Sequence, residues 1–181
     1  MIDLTAEFYE RPVLDVAPEL LNKVLVAGER SGRIVEVEAY GGEDDPGSHA
    51  WRGPAPRTEL MYGPAGHWYV YLSYGVHWCA NVVVSEPGTA AAVLIRAVEP
   101  LSGIDEMRTV RGRVRDRDLA NGTGKLTKAL GFAHELNGMQ ISTSAARIVD
   151  DGIDPPTNAS RTPRIGLSKD RAPDRLWRFT P

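Results

Sequence analysis

Residues 67–98 read HWYVYLSYGVHWCANVVVSEPGTAAAVLIRAV, and this stretch decides the fold class. Three runs in it are rich in aromatic and β-branched residues, which favour strands. They cover His67–Ser73, Trp78–Val84 and Ala90–Val98. Turn-forming residues separate them, at Tyr74-Gly75 and at Ser85–Gly88. Because Ala91–Ile95 is almost continuously apolar, we expect the third strand to be central in a sheet.

The segments on either side add helices and further strands. Asp15 as an N-cap, with Pro18 in the first helical turn, predicts a helix that ends near Asn22. Ser102–Asp105 resembles a capping box and predicts a helix towards Val110, and a second helix is expected over Thr123–Leu130. The remaining predicted strands are Val24–Ala27, Arg33–Tyr40, Ile165–Leu167 and Leu176–Thr180, with residues 150–162 as a loop. This order of elements predicts an α+β fold with a mainly antiparallel sheet.

The composition is that of one folded domain. The chain has 181 residues, of which 42% are hydrophobic, and it shows no internal repeat or linker, so we expect a single domain over residues 1–181. Cys79 is the only cysteine, which excludes an internal disulfide and a cysteine-based zinc site. Residues 1–7 do not resemble a signal peptide, and no apolar run is long enough to span a membrane. We therefore expect a cytoplasmic protein.

The charge is unevenly distributed along the chain. The net charge is −3, but residues 1–60 carry −6 and residues 101–181 carry +4. The densest basic run contains Arg108, Arg111, Arg113, Arg115 and Arg117. Such a run forms either an ordinary solvated face or a surface that binds nucleic acid.

Several common site types do not fit the sequence. The four histidines lack the helical spacing of a zinc site, so no metal is expected. Residues 121–125 (NGTGK) lack the first glycine and the hydroxyl residue of a nucleotide-binding P-loop. They still place backbone N–H groups and Lys125 where a phosphate could bind. No nucleophile elbow is present either.

Glu38 and Tyr40 end a strand that leads into residues 41–66, a long irregular segment. Alternation predicts Val35, Val37 and Ala39 on one face, and Glu38 and Tyr40 on the other with Ile34 and Glu36. That second face is either a solvated edge or a general base beside an aromatic stacking surface.

Aromatic residues recur between Trp68 and Trp78. Both tryptophans are expected in the core. Tyr74 precedes Gly75 at a predicted turn, which suits a side chain that projects into a partner.

Ordered motifs along nearly the whole chain resemble the alkyladenine (3-methyladenine) DNA glycosylase family. They are RIVEVEAY (33–40), His49, MYGPAG (61–66), YVYLSYG (69–75), CANV (79–82), LIRAVEP (94–100), RDL (117–119), NGTGKL (121–126), RIGL (164–167) and WRF (177–179). The resemblance implies a curved antiparallel sheet flanked by helices in one domain. It also implies base excision repair without metal or cofactor, by a monomer in the cytoplasm of a bacterial-type cell, associated with the nucleoid.

The resemblance also implies roles for individual residues. Glu38 matches the general base that activates water, and Arg96 matches an arginine that helps to hold that water. The pocket for the flipped base is implied at Tyr40, His49, Tyr71 and Asn81, with Asn81 excluding guanine. Tyr74 matches the side chain that fills the gap in the duplex. Contacts to the DNA backbone are expected from Arg57, Met61, Arg108, Arg111 and Lys125, and we add Arg113, Arg115 and Arg171 as further phosphate contacts from the basic run and the C-terminal part.

The implied partner is duplex DNA that contains damaged purines, with water as the nucleophile and no strand-cleaving step. The loop over residues 41–56 and the pair Leu72-Ser73 depart from the family pattern, which affects substrate range more than the reaction. Two alternatives remain open: a non-catalytic binding domain of the same fold, and an RNA-binding domain. The first would lack Glu38, and the second would not need the Glu–Tyr–His–Arg set.

Overall fold

The computed structural model describes residues 1–181 as one antiparallel sheet with four α-helices. The strands are β1 (Ile2–Asp3), β2 (Val24–Ala27), β3 (Arg30–Tyr40), β4 (Trp68–Ser73), β5 (His77–Val83), β6 (Ala92–Ser102), β7 (Ala146–Asp150), β8 (Ser160–Thr162) and β9 (Arg178–Thr180). The helices are α1 (Ala6–Tyr9), α2 (Val13–Glu19), α3 (Ile104–Arg111) and α4 (Thr123–Leu130). The α+β fold with a curved antiparallel sheet is confirmed.

The strands follow the order β1-β7-β2-β3-β6-β5-β4, and β9 pairs with both β3 and β8. The long strands β3 and β6 lie at the centre, so the central position expected for Ala91–Ile95 is confirmed. One face of the sheet packs against α2 and α4 and forms a core cluster of 33 buried residues. Trp68 lies in this core and is fully buried, as expected, and Trp78 packs against it while partly buried.

Two irregularities in the β3–β6 pairing change which side chains face the core. The register shifts between Ile34 and Glu36 and again between Glu36 and Val37, which leaves Val35 and Arg96 without a directly opposed partner. Ile34 therefore joins Val37 in the core, and the prediction that Val35 shares that face is wrong.

The same shift affects β6. Strand alternation predicts Arg96 on one face with Leu94 and Val98. Leu94 and Arg96 do line the cavity together, but Val98 lies in the core cluster with Ile95, so the prediction is wrong for Val98.

Several element boundaries also differ from prediction. Helix α2 begins directly after Pro12, so Asp15 lies inside its first turn and is not the N-cap. Helix α3 follows Gly103, whose φ of +64° makes the tight turn out of β6, and the Ser102 hydroxyl donates to Glu29 O and does not cap the helix. The segment Ile165–Leu167 is not a strand.

Strands β1, β7 and β8 and helix α1 were not expected, and β8 lies in the predicted loop. They are short, and β1, β7 and β8 depend on partners distant in sequence. None of the helices has the length and apolar character needed to cross a bilayer.

Candidate active site

A cavity of about 840 Å³ opens on the sheet face opposite the main core. Alternate residues of β4, β5 and β6 form its floor because their side chains project to the same side. They are Tyr69, Tyr71, Ser73, His77, Cys79, Asn81, Ala92, Leu94 and Arg96. Arg57 and Arg171 also line the cavity, whereas no Asp or Glu does, so its surface favours an anionic ligand.

Glu38 is fully buried behind the residues that form the cavity wall. Its Oε2 accepts hydrogen bonds from Tyr40 Oη at 2.8 Å and from Arg96 Nη1 at 3.2 Å. Its Oε1 accepts one bond, from the backbone N–H of Ile165 at 2.7 Å. A carboxylate oxygen can accept two bonds, so Oε1 retains a lone pair for a further donor.

Arg96 links Glu38 to a second carboxylate. Its Nε donates to Glu36 Oε1 at 3.0 Å, and Arg178 Nε donates to the same oxygen at 2.6 Å. The register shift opposite Arg96 turns this side chain towards the cavity and away from the core. The bulge thus places a guanidinium between two acids and the cavity.

Tyr40 stands at the cavity wall with its ring against a buried guanidinium. The ring centroid lies 4.7 Å from Arg164 Cζ. Burial, followed by the charge of Glu38, raises the pKa of Tyr40 well above its ordinary value. The hydroxyl therefore stays protonated and donates to Glu38.

His49, Tyr69 and Tyr71 form an aromatic group on another side of the cavity. The His49 and Tyr71 ring centroids are 4.6 Å apart, and His49 Nδ1 lies 2.9 Å from Tyr69 Oη. Arg57 Nη2 lies 3.3 Å from His49 Nε2, and Arg57 Cζ is 5.1 Å from the Tyr71 ring centroid. Burial first, and then the charges of Arg57 and Arg171, lower the pKa of His49 to about 4.

The partners of His49 determine its tautomer. A guanidinium can only donate, so Nε2 accepts from Arg57 and the ring hydrogen is on Nδ1, which donates to Tyr69. The imidazole is neutral at pH 7, and neither of its nitrogens is free to bond a ligand directly.

Asn81 is buried at the cavity floor with its amide nitrogen already engaged. Nδ2 donates to Tyr69 O at 2.9 Å and to Cys79 O at 3.4 Å. Because both partners can only accept, Oδ1 is the amide atom left for a ligand.

Tyr74 lies at the tip of the β4–β5 turn, where it is 92% exposed with a φ of +50°. Leu72 and Val76 on either side are also exposed. This apolar tip stands at the edge of the cavity, which Tyr74 also lines.

The residues expected at the DNA backbone fall into different environments. Arg57 is in the cavity wall, and Met61 also lines the cavity but is buried, with an exposed fraction of 2%. Arg108 is paired with Asp105 and Asp116, which offset its charge. Arg111 donates to the Leu119 carbonyl and Lys125 to Asn121 Oδ1. Among these five residues, only Arg108 has a carboxylate partner.

Sequence reasoning did not single out three parts of this site. Tyr69 shares the strand face of Tyr71, so period-two alternation could have identified it. The Ile165 N–H and the buried Asp45–Arg164 pair could not have been identified in this way, because they join segments more than 100 residues apart.

The structure groups no three His, Cys, Asp or Glu side chains in a way that could hold a metal ion. The wall offers aromatic faces and hydrogen-bond donors, and behind it lies a buried carboxylate held by a guanidinium. That set suits acid–base chemistry on a flat aromatic ligand attached to an anionic chain.

Comparisons with known proteins agree with this chemistry. The family model described as methylpurine-DNA glycosylase (MPG) matches residues 7–181. A Burkholderia cenocepacia protein named "Putative 3-methyladenine DNA glycosylase" is 47% identical over 177 residues, which cover 96% of this chain and 84% of that protein.

Relatives with the same name occur in other bacteria. One from Chlorobaculum parvum is 44% identical over 180 residues, covering 97% of this chain and 85% of its own length. One from Frankia casuarinae is 46% identical over 184 residues, covering 96% and 86%. The family-model match includes every residue that lines the cavity, and the chain belongs to the methylpurine-DNA glycosylase family of DNA repair enzymes.

Proposed function

We propose that this DNA glycosylase, acting as a monomer, excises alkylated and deaminated purines from duplex DNA. The candidate bases are 3-methyladenine, hypoxanthine, ethenoadenine and 7-methylguanine. The observation that carries the proposal is the buried Glu38, held by Tyr40 and Arg96 behind an aromatic cavity whose own wall has no carboxylate.

Substrate access requires the damaged base to leave the duplex, because the glycosidic bond is otherwise out of reach. Unstacking costs a few kcal/mol, and least for a poorly paired base. The exposed ring of Tyr74 fills the gap in the stack, while the base lies among Tyr40, His49 and Tyr71. The arginines of the wall offset the charge of the DNA backbone.

In the chemical step, a water bound to Glu38 Oε1 attacks the anomeric carbon of the sugar. Glu38 takes the proton, the C–N bond breaks, and its electron pair leaves with the purine. The sugar has oxocarbenium character in the transition state, as in glycoside hydrolysis. A cationic base such as 3-methyladenine leaves as a neutral molecule. Hypoxanthine leaves as an anion, so its departure needs more stabilisation from the pocket. A slight movement of Tyr40 or Ile165 opens Glu38 to the cavity.

Single-turnover excision by Glu38→Gln tests the proposal. Gln keeps the volume and most hydrogen bonds but cannot take a proton, so excision of hypoxanthine should fall by about 10²–10⁴-fold. Binding to the same duplex should persist. Glu43→Gln is the matched control, because Glu43 is exposed on the neighbouring loop. A Glu38→Gln enzyme within a few fold of the wild type would contradict the role of Glu38.

Substrate range is tested by base release from four duplexes, each with one of the candidate bases. An enzyme that releases none of them, yet binds duplex DNA, would instead be the non-catalytic binding domain. Sedimentation analysis with and without DNA checks the monomeric state.

A further inference from the structure

We infer that the buried Asp45–Arg164 ion pair is a positioning device for Glu38 and Tyr40. This inference rests on the proposed role of Glu38 as the general base. Neither Asp45 nor Arg164 lines the cavity, so any effect of this pair on the reaction passes through the groups that it holds.

The pair is completely enclosed and closely bonded. Both side chains are 0% exposed, and the Arg164 fork donates to Asp45 at 2.6 Å and 2.7 Å. Arg164 Nη1 also donates to Ala39 O at 2.9 Å. Asp45 accepts from the backbone N–H groups of Gly41 and Gly47, at 3.0 Å and 3.1 Å. The pair thus fixes the loop that follows β3.

The same pair fixes the two groups next to the reacting carboxylate. Arg164 lies over the Tyr40 ring at 4.7 Å, and the Tyr40 hydroxyl donates to Glu38 Oε2. Ile165, which follows Arg164 in the sequence, donates its backbone N–H to Glu38 Oε1. Two of the three hydrogen bonds to Glu38 therefore depend on where Arg164 lies.

The surroundings leave little freedom for another arrangement. Arg164 Cζ is also 5.1 Å from the Trp177 ring centroid. A Cβ on Gly47 would lie 2.5 Å from Arg164 Nη2 and 2.9 Å from Leu167 Cδ1, so only glycine permits this close approach. The segment 163–171 contains no helix or strand, and the ion pair anchors it at the site.

Stability alone does not account for such a pair. Removing two charges from water costs about as much as their attraction returns, and neutral residues of similar shape are often equally stable. Positional precision is different, because an error of about 1 Å at a reacting group can cost about 10²-fold in rate. The fork of Arg164 supplies this precision, and a lysine cannot reproduce it.

The test compares Asp45→Asn, Arg164→Lys and the double variant Asp45→Asn/Arg164→Met. The rate constant for hypoxanthine excision is measured with enzyme saturating and in large excess over the DNA, so that partial loss of folded protein does not change it. Binding to duplex DNA with an abasic-site analogue and the melting temperature are measured in parallel. Asp150→Asn is the matched control, since Asp150 pairs with the buried Lys23 and accepts from Gly152 N–H, far from the site.

We expect both single variants to lose up to about 10²-fold in rate constant with DNA binding unchanged. The double variant should regain melting temperature without regaining rate, and Asp150→Asn should lose only melting temperature. A wild-type rate constant in Arg164→Lys or in the double variant would overturn the inference. Should Asp45→Asn not fold, Gly47→Ala displaces Arg164 without removing a charge and should show the same loss.

Glu38→Gln separates this inference from the proposed function. If Glu38→Gln is inactive and the pair variants keep the wild-type rate constant, only the positioning role fails. If Glu38→Gln keeps the wild-type rate constant, the proposed role of Glu38 as the general base fails.

Discussion

At the scale of single residues, His49 is a neutral imidazole that accepts a hydrogen bond from Arg57 and donates one to Tyr69. The unfolded chain would protonate it near its ordinary pKa of about 6.5, whereas the folded site lowers this pKa to about 4. The neutral His49 therefore makes its full contribution to the free energy of unfolding above about pH 6.5, and this contribution is lost as the pH falls towards 4. The ring is partly exposed, so water screens some of this effect.

Arg57→Gln should raise the pKa of His49, because it removes the nearest positive charge and frees Nε2 to bind a proton. The measurement is an NMR titration of the His49 ring in both proteins. Arg52→Gln is the control, since Arg52 is an exposed arginine of the same loop that makes no hydrogen bond to the His49 ring. An unchanged His49 titration in Arg57→Gln would show that Arg57 does not set its charge state.

Asn81 and Tyr74 are predicted to have separable roles. Since Asn81 Oδ1 is an acceptor, it could bond the amino group of guanine, and exclusion of guanine must therefore come from steric clash. Asn81→Ser shortens the obstacle and should raise guanine excision relative to hypoxanthine, with little loss of DNA affinity.

Tyr74→Ala should lower excision of every base by a similar factor, and least where the base is already unpaired. The single-turnover ratio of guanine to hypoxanthine excision, measured in both variants, tests the division. A ratio that changes in Tyr74→Ala and not in Asn81→Ser would reverse the two assignments.

At the scale of elements, helix α4 packs unusually close to β5 through Gly124. A Cβ at this position would lie 2.6 Å from the His77 ring, whereas a Cβ on Gly122 would meet nothing closer than 3.6 Å. The two glycines of the NGTGK motif therefore serve different purposes. Glycine is required at position 124 because of its close packing against His77. This contact also brings Thr123 to the cavity wall.

Gly124→Ala should therefore destabilise the fold by about 1–3 kcal/mol, the usual range for overpacking. Gly122→Ala, in the same motif, should cost clearly less because its φ of 164° is ordinary extended backbone. Urea unfolding of the two variants measures the difference. Equal stabilities would mean that His77 moves aside freely.

At the scale of the whole molecule, ion pairing decides which arginines are available to DNA. Within the basic run, Arg108 and Arg115 are paired with carboxylates, so their charge is partly cancelled. Arg171 has no carboxylate partner; its Nη1 donates to the Pro46 carbonyl, and the side chain lines the cavity and lies over the Trp51 ring. A net charge of −3 is therefore compatible with a local positive surface at the site.

Arg171→Ala should lower the slope of log K against log salt by about 0.9, the value for one phosphate contact. Arg108→Ala should change it less, because Arg108 already has two acidic partners. Affinity for undamaged duplex DNA over a salt series provides the slopes. If Arg108→Ala has the larger effect, its ion pairs must break when DNA binds.

The sequence by itself determined the strands β4, β5 and β6, helix α4 and the α+β class. These depend on local patterns: β-branched and aromatic residues with period two, and a glycine that ends a helix. The motifs also identified the family, and the residues expected around the base do come together, with Tyr40, His49, Tyr71, Asn81 and Arg96 at one cavity and Glu38 behind it.

Only the tertiary structure decided which face Val35 and Arg96 take, because a register shift depends on the opposing strand. It also decided that Arg164 and Asp45 meet, although 118 residues separate them in the sequence, and that the Ile165 N–H reaches Glu38. The tertiary structure also decided which arginines of the basic run are paired with carboxylates. Such contacts join distant segments, and no local pattern of side chains encodes which segments the folded chain brings together.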